Sequence, residues 1–341
     1  MPRHVNIPIF IPHLGCPNAC VFCNQRYISG VHSFDISSVR VIIEDSLKTI
    51  NSPEDEVEIA FFGGSFTGID QGLMISLLEI AKEYIDNGRV SCIRCSTRPD
   101  YITPEVLTLL KKYSVKTIEL GIQSVCNSVL DSSKRGHSFL DSYNAAKLVV
   151  SYGFELVGQM MIGLPSSSSS DEIATARFIC ECGAKGARVY PTVVFNETEL
   201  MDMTKKGNYL PLSLDEAIDR CAAVCKVFNE NGVKIIRVGL CSSENLSSDT
   251  TYYAGPNHPA IGELVENKIF YDNIKDQIIA KNLKGKNIKV FIPKGALSKA
   301  LGHKKQNKIK LTEEFSLTGI HFTESVKIAE NDALVVEEGN T

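Results

Sequence analysis

No stretch of this 341-residue chain reaches the run of about eighteen apolar residues that a membrane-crossing helix needs, so no membrane span is expected. The N-terminal segment MPRHVNIPIFIPHLG has only a short apolar stretch broken by prolines, and it lacks a small-residue cleavage site. It reads as a strand entering a fold, not as a secretory signal. Glycine, proline and charge show no excess, which leaves an ordinary globular composition. Positive charge is not in surplus either: the net charge of −4 excludes a whole molecule built to hold polyanions. There is no internal repeat, and the only low-complexity run is the serine loop 166–170. What is present is enough apolar sequence, 43%, for one large domain and a smaller appendage. Eleven cysteines, an odd count in a chain of this size, point to thiols kept for metal or core packing in a reducing compartment. A cytoplasmic location is expected.

Short apolar strands alternate with amphipathic helical stretches over about the first 240 residues. Strands are expected at 5–12, 56–62, 90–97, 117–122, 155–162 and 186–194, with a short last one at 234–238. Thr103-Pro104 starts a helix, with Thr as cap and Pro at the first helical position. Ser169 with Glu172, and Ser213 with Glu216, form capping boxes. This alternation predicts a parallel α/β sheet whose ligands sit beyond the C-terminal strand ends. Five such ends carry the chemically interesting residues: Cys16 onward, Gly63-Gly64-Ser65, Ser96-Thr97-Arg98, Gln123-Ser124 and Gly163. Six or seven units fall short of a closed (β/α)8 barrel, so a partial (β/α)6-type barrel is expected. Beyond residue 245 turn formers dominate, followed by a helix over 260–281 and two short strands, NIKVFIP and NKIKL. Residues 1–245 therefore read as the barrel with its cysteine loop, and 246–341 as a small, basic α+β extension.

GCPNACVFC spaces its cysteines C-x3-C-x2-C. Thiolates are the natural ligands of iron–sulfur clusters. Three of them on one short loop can turn onto a single cuboid, and Gly15 and Pro17 suit the abrupt turns. Three ligands for four irons leave one iron open, as a catalytic centre requires. A zinc site with His13 as fourth ligand and plain buried thiols are the alternatives. The other cysteine pairs, Cys92/Cys95, Cys180/Cys182 and Cys221/Cys225, read as core.

With Phe22 directly before the third cysteine, the motif resembles that of the radical S-adenosylmethionine (SAM) superfamily. IPIFIPHLGCPNACVFCNQ, FFGGSFTGI, STRPDYI, IELGIQSVCNSVL, KRGHS and MMIGLP are similar, in order, to the radical SAM domain of the Elongator catalytic-subunit-like family. AGPNHPAIGELVEN resembles the extension beside that domain. The resemblance implies a [4Fe–4S] cluster on Cys16, Cys20 and Cys23, with SAM chelated to the open iron through its amino and carboxylate groups. Reduction by a donor such as ferredoxin or flavodoxin then yields methionine and a 5′-deoxyadenosyl radical that abstracts a hydrogen from substrate. The substrate implied is a wobble uridine of tRNA. No region long enough to bind acetyl-CoA follows the radical domain, so an enzyme lacking the acetyltransferase domain is expected. Radical chemistry on a small molecule, as in coproporphyrinogen-oxidase-like relatives, and a non-catalytic iron–sulfur or zinc protein are the competing readings.

Gly63, Gly64 and Ser65 offer unobstructed backbone groups, and the resemblance brings them to the methionyl amino group. Ser96, Arg98, Gln123 and Ser124 suit the ribose hydroxyls and the SAM carboxylate, with Arg135 a second candidate for the carboxylate. Met161 and Gly163 are candidates to flank adenine, and Phe22 belongs to the same cofactor-binding set. Each has an ordinary alternative: a glycine turn, a solvated arginine, a core methionine. No catalytic acid or base is assigned. Glu119, inside the fourth strand, needs a partner if buried. A substrate or SAM contact and an ion pair to Arg98 are its two readings.

Eleven lysines and one acidic residue, Asp276, lie between Lys275 and Lys310. Lysines clustered beside an active site suit a phosphate backbone. Phe291 is the only aromatic there, which favours backbone holding over base reading. Lys304, Lys305 and Asn307 are the candidate RNA contacts, against the plain alternative of a solvated face.

Overall fold

Period-two alternation along each strand decides how the sheet is sandwiched. In the computed structural model, which describes residues 3–11, 14–16, 20–24, 34–50, 52, 54–240 and 251–339, seven parallel strands form one sheet. They are β1 (His4–Ile11), β2 (Glu56–Gly63), β3 (Cys92–Thr97), β4 (Val115–Gln123), β5 (Glu155–Ile162), β6 (Gly186–Pro191) and, past a short β7 (Val194–Phe195), β8 (Lys234–Val238). Their order is β1-β2-β3-β4-β5-β6-β8, so every crossover connects neighbours and the sheet curls into a half-barrel. The short segment at 234–238 thus adds a seventh strand to the six-unit barrel. His13, Pro17 and the boundary expected at 245–246 lie outside the described residues.

One face of each strand is apolar: Ile7, Ile9 and Ile11; Val57, Ile59 and Phe61; Ile118, Leu120 and Ile122; Leu156, Met160 and Ile162. These join a single core with the covering helices α1 (Ser37–Lys48), α2 (Gln71–Asp86), α3 (Pro104–Lys112), α5 (Phe139–Ser151), α6 (Ser169–Glu181) and α8 (Leu214–Glu230), while α4 (Asn127–Ser132) stands outside it and α7 (Glu199–Lys205) places Leu200 in a small separate cluster. Thr103 caps α3 as expected, and Ser213 with Glu216 boxes α8. The box on α6 is displaced by one residue, to Ser168 and Asp171. The serine run allows either register. The observed one turns Glu172 inward, where it accepts from the Gly163 N–H at 2.7 Å and pairs with Arg220 at 2.5 Å.

The opposite, concave face is polar. Glu119, fully buried, accepts from Arg94 at 3.0 Å, from Arg188 at 2.8 and 3.1 Å, and from Gln159 at 2.7 Å. Arg94 also donates to Glu58 at 2.8 Å, and Glu58 takes the Cys92 thiol. Two carboxylates and two guanidiniums thus alternate across β2, β3, β4 and β6. The expected Glu119–Arg98 pair does not form: Arg98 turns to Asp100 at 2.8 Å, leaving Glu119 to arginines whose side chains share its face of the sheet. Above this floor lie Phe10 and Phe62, 6.2 Å apart, with the Arg188 guanidinium 5.5 Å from the Phe62 ring.

The C-terminal part has a second apolar core. β10 (Asn287–Pro293) pairs parallel with β11 (Gly319–Ser325) and antiparallel with β12 (Leu334–Glu337), while β9 (Tyr252–Ala254) pairs with β7. Helices α9 (Ile261–Ala280), α10 (Leu297–Leu301) and α11 (Gln306–Glu314) belong to this part. Ile261, Val265 and Ile269 of α9 join the barrel core, and Phe270, Ile274 and Ile278 join the second, so one helix serves both. NIKVFIP is a strand as expected, but NKIKL is not. It lies in α11, where Asn307 and Leu311, four residues apart, form the buried stripe of a helix rich in helix formers. Among the described residues no helix is long and apolar enough to cross a membrane.

Candidate cofactor site at the strand ends

The cysteine loop is seated by backbone contact. Gly15, at φ +75°, lies so close to the turn after β2 that a Cβ there would stand 2.2 Å from the Ser65 carbonyl oxygen and 2.7 Å from Gly68. A Cβ on Gly64 would meet the Leu14 carbonyl oxygen at 2.1 Å, and one on Gly63 the Ile11 carbonyl oxygen at 2.5 Å. Gly64 therefore has a packing reason, letting this loop lie directly on the turn, while Gly63 lets the end of β2 lie close against the end of β1. Further along, Cys23 N–H donates to Cys20 O at 3.0 Å, Val21 N–H to Ser133 O at 3.2 Å, and Leu200 N–H to Val21 O at 2.8 Å. Phe22 packs with Val21, Val194, Leu200 and Tyr209, which fastens the loop to α7 and β7.

Around these cysteines stand buried polar groups. Ser65 is fully buried, shares a hydrogen bond with Thr97 at 2.8 Å, and accepts from the Arg98 N–H at 3.2 Å. Arg98 holds Asp100 through Nε and Nη2, and its buried Nη1 has no partner among the described residues. Arg135 donates through Nη1 to Cys20 Sγ at 3.4 Å and through Nη2 to Gly121 O at 2.7 Å, while its buried Nε is unpartnered among the described residues. Gln123 ends β4 at φ +65°, a left-handed conformation uncommon for a residue with a side chain, and its buried Oε1 is also unpartnered among the described residues. Unsatisfied donors and an acceptor buried together are costly unless a ligand completes them.

Electrostatics suit a negatively charged group. Burial pushes the Cys16 thiol up, while the Arg135 and Arg98 guanidiniums and the Ser65 N–H pull it toward thiolate. Beside the two arginines, burial and their positive charge push His137 down to about 4, so its imidazole is neutral near pH 7. Among the described residues no three His, Cys, Asp or Glu side chains converge as ligands of one ion do. A four-iron cuboid spreads its thiolates over separate corners, and the orphaned arginine and glutamine atoms beside Cys16 and Cys20 fit a cluster with a polar organic ligand.

The remaining expected residues divide. Ser96 reaches only the Phe61 carbonyl oxygen, at 3.5 Å, and Met161, half-buried, stands opposite Tyr190 on β6. Ser124 is occupied in its turn, accepting from Cys126 N–H at 3.1 Å. The Gly163 N–H goes to Glu172 and its carbonyl accepts from Tyr209 at 2.6 Å. Lys304 and Lys305, both exposed, belong to the turn before α11. Asn307 is buried and donates to Asn267 O and Ala300 O, so its amide holds the fold together instead of facing a ligand. Sequence reasoning missed Gly121 and His137. A glycine interrupting the strand pattern IELGIQ is the usual mark of a close approach, here by Arg135. His137 lies in KRGHS, a motif read only for its arginine.

Residues 10–179 match the model of the radical SAM superfamily and residues 184–270 that of the Radical_SAM C-terminal domain. The chain belongs to the radical SAM superfamily. It is an enzyme of that group, whose cofactors are a [4Fe–4S] cluster and SAM. A tRNA uridine(34) acetyltransferase of Methanocaldococcus jannaschii is 27% identical over 195 residues, 51% of this chain and 36% of that protein. Elongator complex protein 3 of Dictyostelium discoideum is 27% identical over 254 residues, 62% of this chain and 45% of that one. This radical SAM chain thus spans about half or less of those relatives. An uncharacterized protein of M. jannaschii is 26% identical over 225 residues, 62% of this chain and 68% of the other. The half-barrel is shared with archaeal Elp3 of Methanocaldococcus infernus lacking residues 1–46: TM-score 0.63, 21% identity, covering 83% of this chain and 64% of that chain.

Proposed function

We propose that this enzyme cleaves SAM reductively and directs the resulting radical to an RNA base, a wobble uridine of tRNA. The observation that carries the first half is the joining of the cysteine loop to the ends of β2, β3 and β4 by the Gly15–Ser65 contact, the Ser65–Thr97–Arg98 bonds and the Arg135–Cys20 contact. Cys16, Cys20 and Cys23 would hold the cluster. When bound, the cluster and SAM supply a 5′-deoxyadenosyl radical, given one electron from a ferredoxin- or flavodoxin-like donor. The Asp100 pair fixes the Arg98 guanidinium, whose spare Nη1 would meet the SAM carboxylate. Gln123 Oε1 would accept from a ribose hydroxyl, and Met161 would flank the adenine. The buried ion-pair floor closes the concave face from below, keeping water from the reacting centre.

The tRNA half rests on the relatives' names and on the C-terminal lysines. Lys275, Lys286 and Lys299 are neutralised by Glu314, Glu337 and Glu266. Lys284, Lys294, Lys304, Lys305, Lys308 and Lys310 make no ion pair among the described residues, and they remain available to phosphates. Such a protein works in the cytoplasm, where tRNA is. The test is 5′-deoxyadenosine formation by anaerobically reconstituted enzyme with and without bulk tRNA: stimulation abolished by ribonuclease supports an RNA substrate, and indifference to tRNA removes it. Lys304→Glu with Lys305→Glu is expected to weaken tRNA binding and to lower the slope of log K against log salt by roughly 1.8, two contacts at about 0.9 each. RNA-free SAM cleavage should be untouched. An unchanged slope assigns these lysines to a solvated face.

A further inference from the structure

We propose that Arg135 is a positioning residue that raises the reduction potential of the cluster through its N–H···S contact with Cys20. This rests on the cluster assignment above and departs from the carboxylate role expected for Arg135. Both ends of the guanidinium are committed: Nη1 to Cys20 Sγ at 3.4 Å and Nη2 to Gly121 O at 2.7 Å. Gly121 makes this geometry available, since a Cβ there would lie 2.9 Å from Arg135 Nη2. The turn that carries Arg135 is itself fixed. Lys134 and Gly136 both have positive φ, and Arg135 N–H donates to Leu130 O at 2.9 Å. The same turn also receives Val21 N–H at Ser133 O, so one short segment grips the cysteine loop by backbone and sulfur together.

The physical consequence follows from charge. Reduction adds one electron, taken from a one-electron donor, to a cluster already ligated by thiolates. A buried guanidinium donating to a ligand sulfur favours the more negative state. Hydrogen bonds to sulfur and local charge are the protein's levers on such potentials. Arg98, whose charge is felt at Cys16 and Cys20 but which makes no sulfur hydrogen bond among the described residues, is left to serve the SAM carboxylate.

The experiment is a redox titration of the reconstituted cluster, followed by EPR, in wild type, Arg135→Gln and Gly121→Ala, with SAM affinity measured in parallel. Arg135→Gln is expected to lower the reduced-to-oxidised ratio at fixed solution potential about tenfold, or about 59 mV for one electron, with SAM affinity unchanged. Gly121→Ala keeps the arginine but pushes it off its seat, and it should shift the ratio in the same direction. An unchanged potential with weakened SAM binding would overturn the proposal in favour of the carboxylate role. Loss of the cluster from both folded variants would overturn it in favour of a purely structural grip on the loop. Failure of the cluster assignment itself would show separately, as wild-type protein that takes up no iron and sulfide.

Discussion

Replacing Glu119 by alanine is expected to cost about 3–5 kcal/mol of folding stability, the range for breaking a buried pair and leaving charge uncompensated. Glu119 receives Arg94, Arg188 and Gln159; the arginine bonds are buried and the Gln159 bond is part-buried. Arg94 keeps Glu58 as a second partner, but both acidic contacts of Arg188 are made to Glu119. The penalty should therefore fall mainly on Arg188. Urea unfolding of the apo-protein reads it directly. Adding Arg188→Met to Glu119→Leu should recover part of the loss, since replacing a buried pair by apolar groups of similar volume is often neutral. A single-variant loss below about 1 kcal/mol, the scale of a surface pair, would mean that the guanidiniums reach water and that the floor does not seal the barrel.

Gly64→Ala should strip the enzyme of its cluster while leaving the sheet folded. The new Cβ would lie 2.1 Å from the Leu14 carbonyl oxygen, a backbone atom that no rotamer change moves away. Overpacking of this kind costs about 1–3 kcal/mol, which at 1.4 kcal/mol per tenfold is roughly a five- to hundredfold loss of cluster affinity. The strain falls on the cysteine loop because β2 is held on both sides, by β1 and β3. Iron and sulfide content against far-UV circular dichroism separates the two effects. Normal iron loading in Gly64→Ala would show that the loop has another seat.

What could be read in the sequence was what is local. Strands announced themselves by apolar alternation, and the cysteine loop by spacing. The inner face hid because its partners are remote: Glu119 finds Arg94 25 positions away and Arg188 69 positions away. One carboxylate inside IELGI showed only that some partner was needed. Gly63 and Gly64 were legible as a close approach, but not that the end of β1 and the cysteine loop make it. In the serine run two capping registers were locally equivalent, and the tertiary bonds of Glu172 to Gly163 and Arg220 go with the one adopted. NKIKL read as a strand because its apolar residues alternate over five positions. The helical stripe that overrides this, Asn307 to Leu311, carries a buried asparagine that composition marks as surface.

The most direct measurement is 5′-deoxyadenosine formation from SAM and dithionite by anaerobically reconstituted wild type beside Cys20→Ala. The nucleoside is expected from wild type, with none from the variant. Equal formation in both, or none from a wild type that demonstrably carries its cluster with tRNA supplied, would contradict the assignment of radical SAM chemistry to this loop.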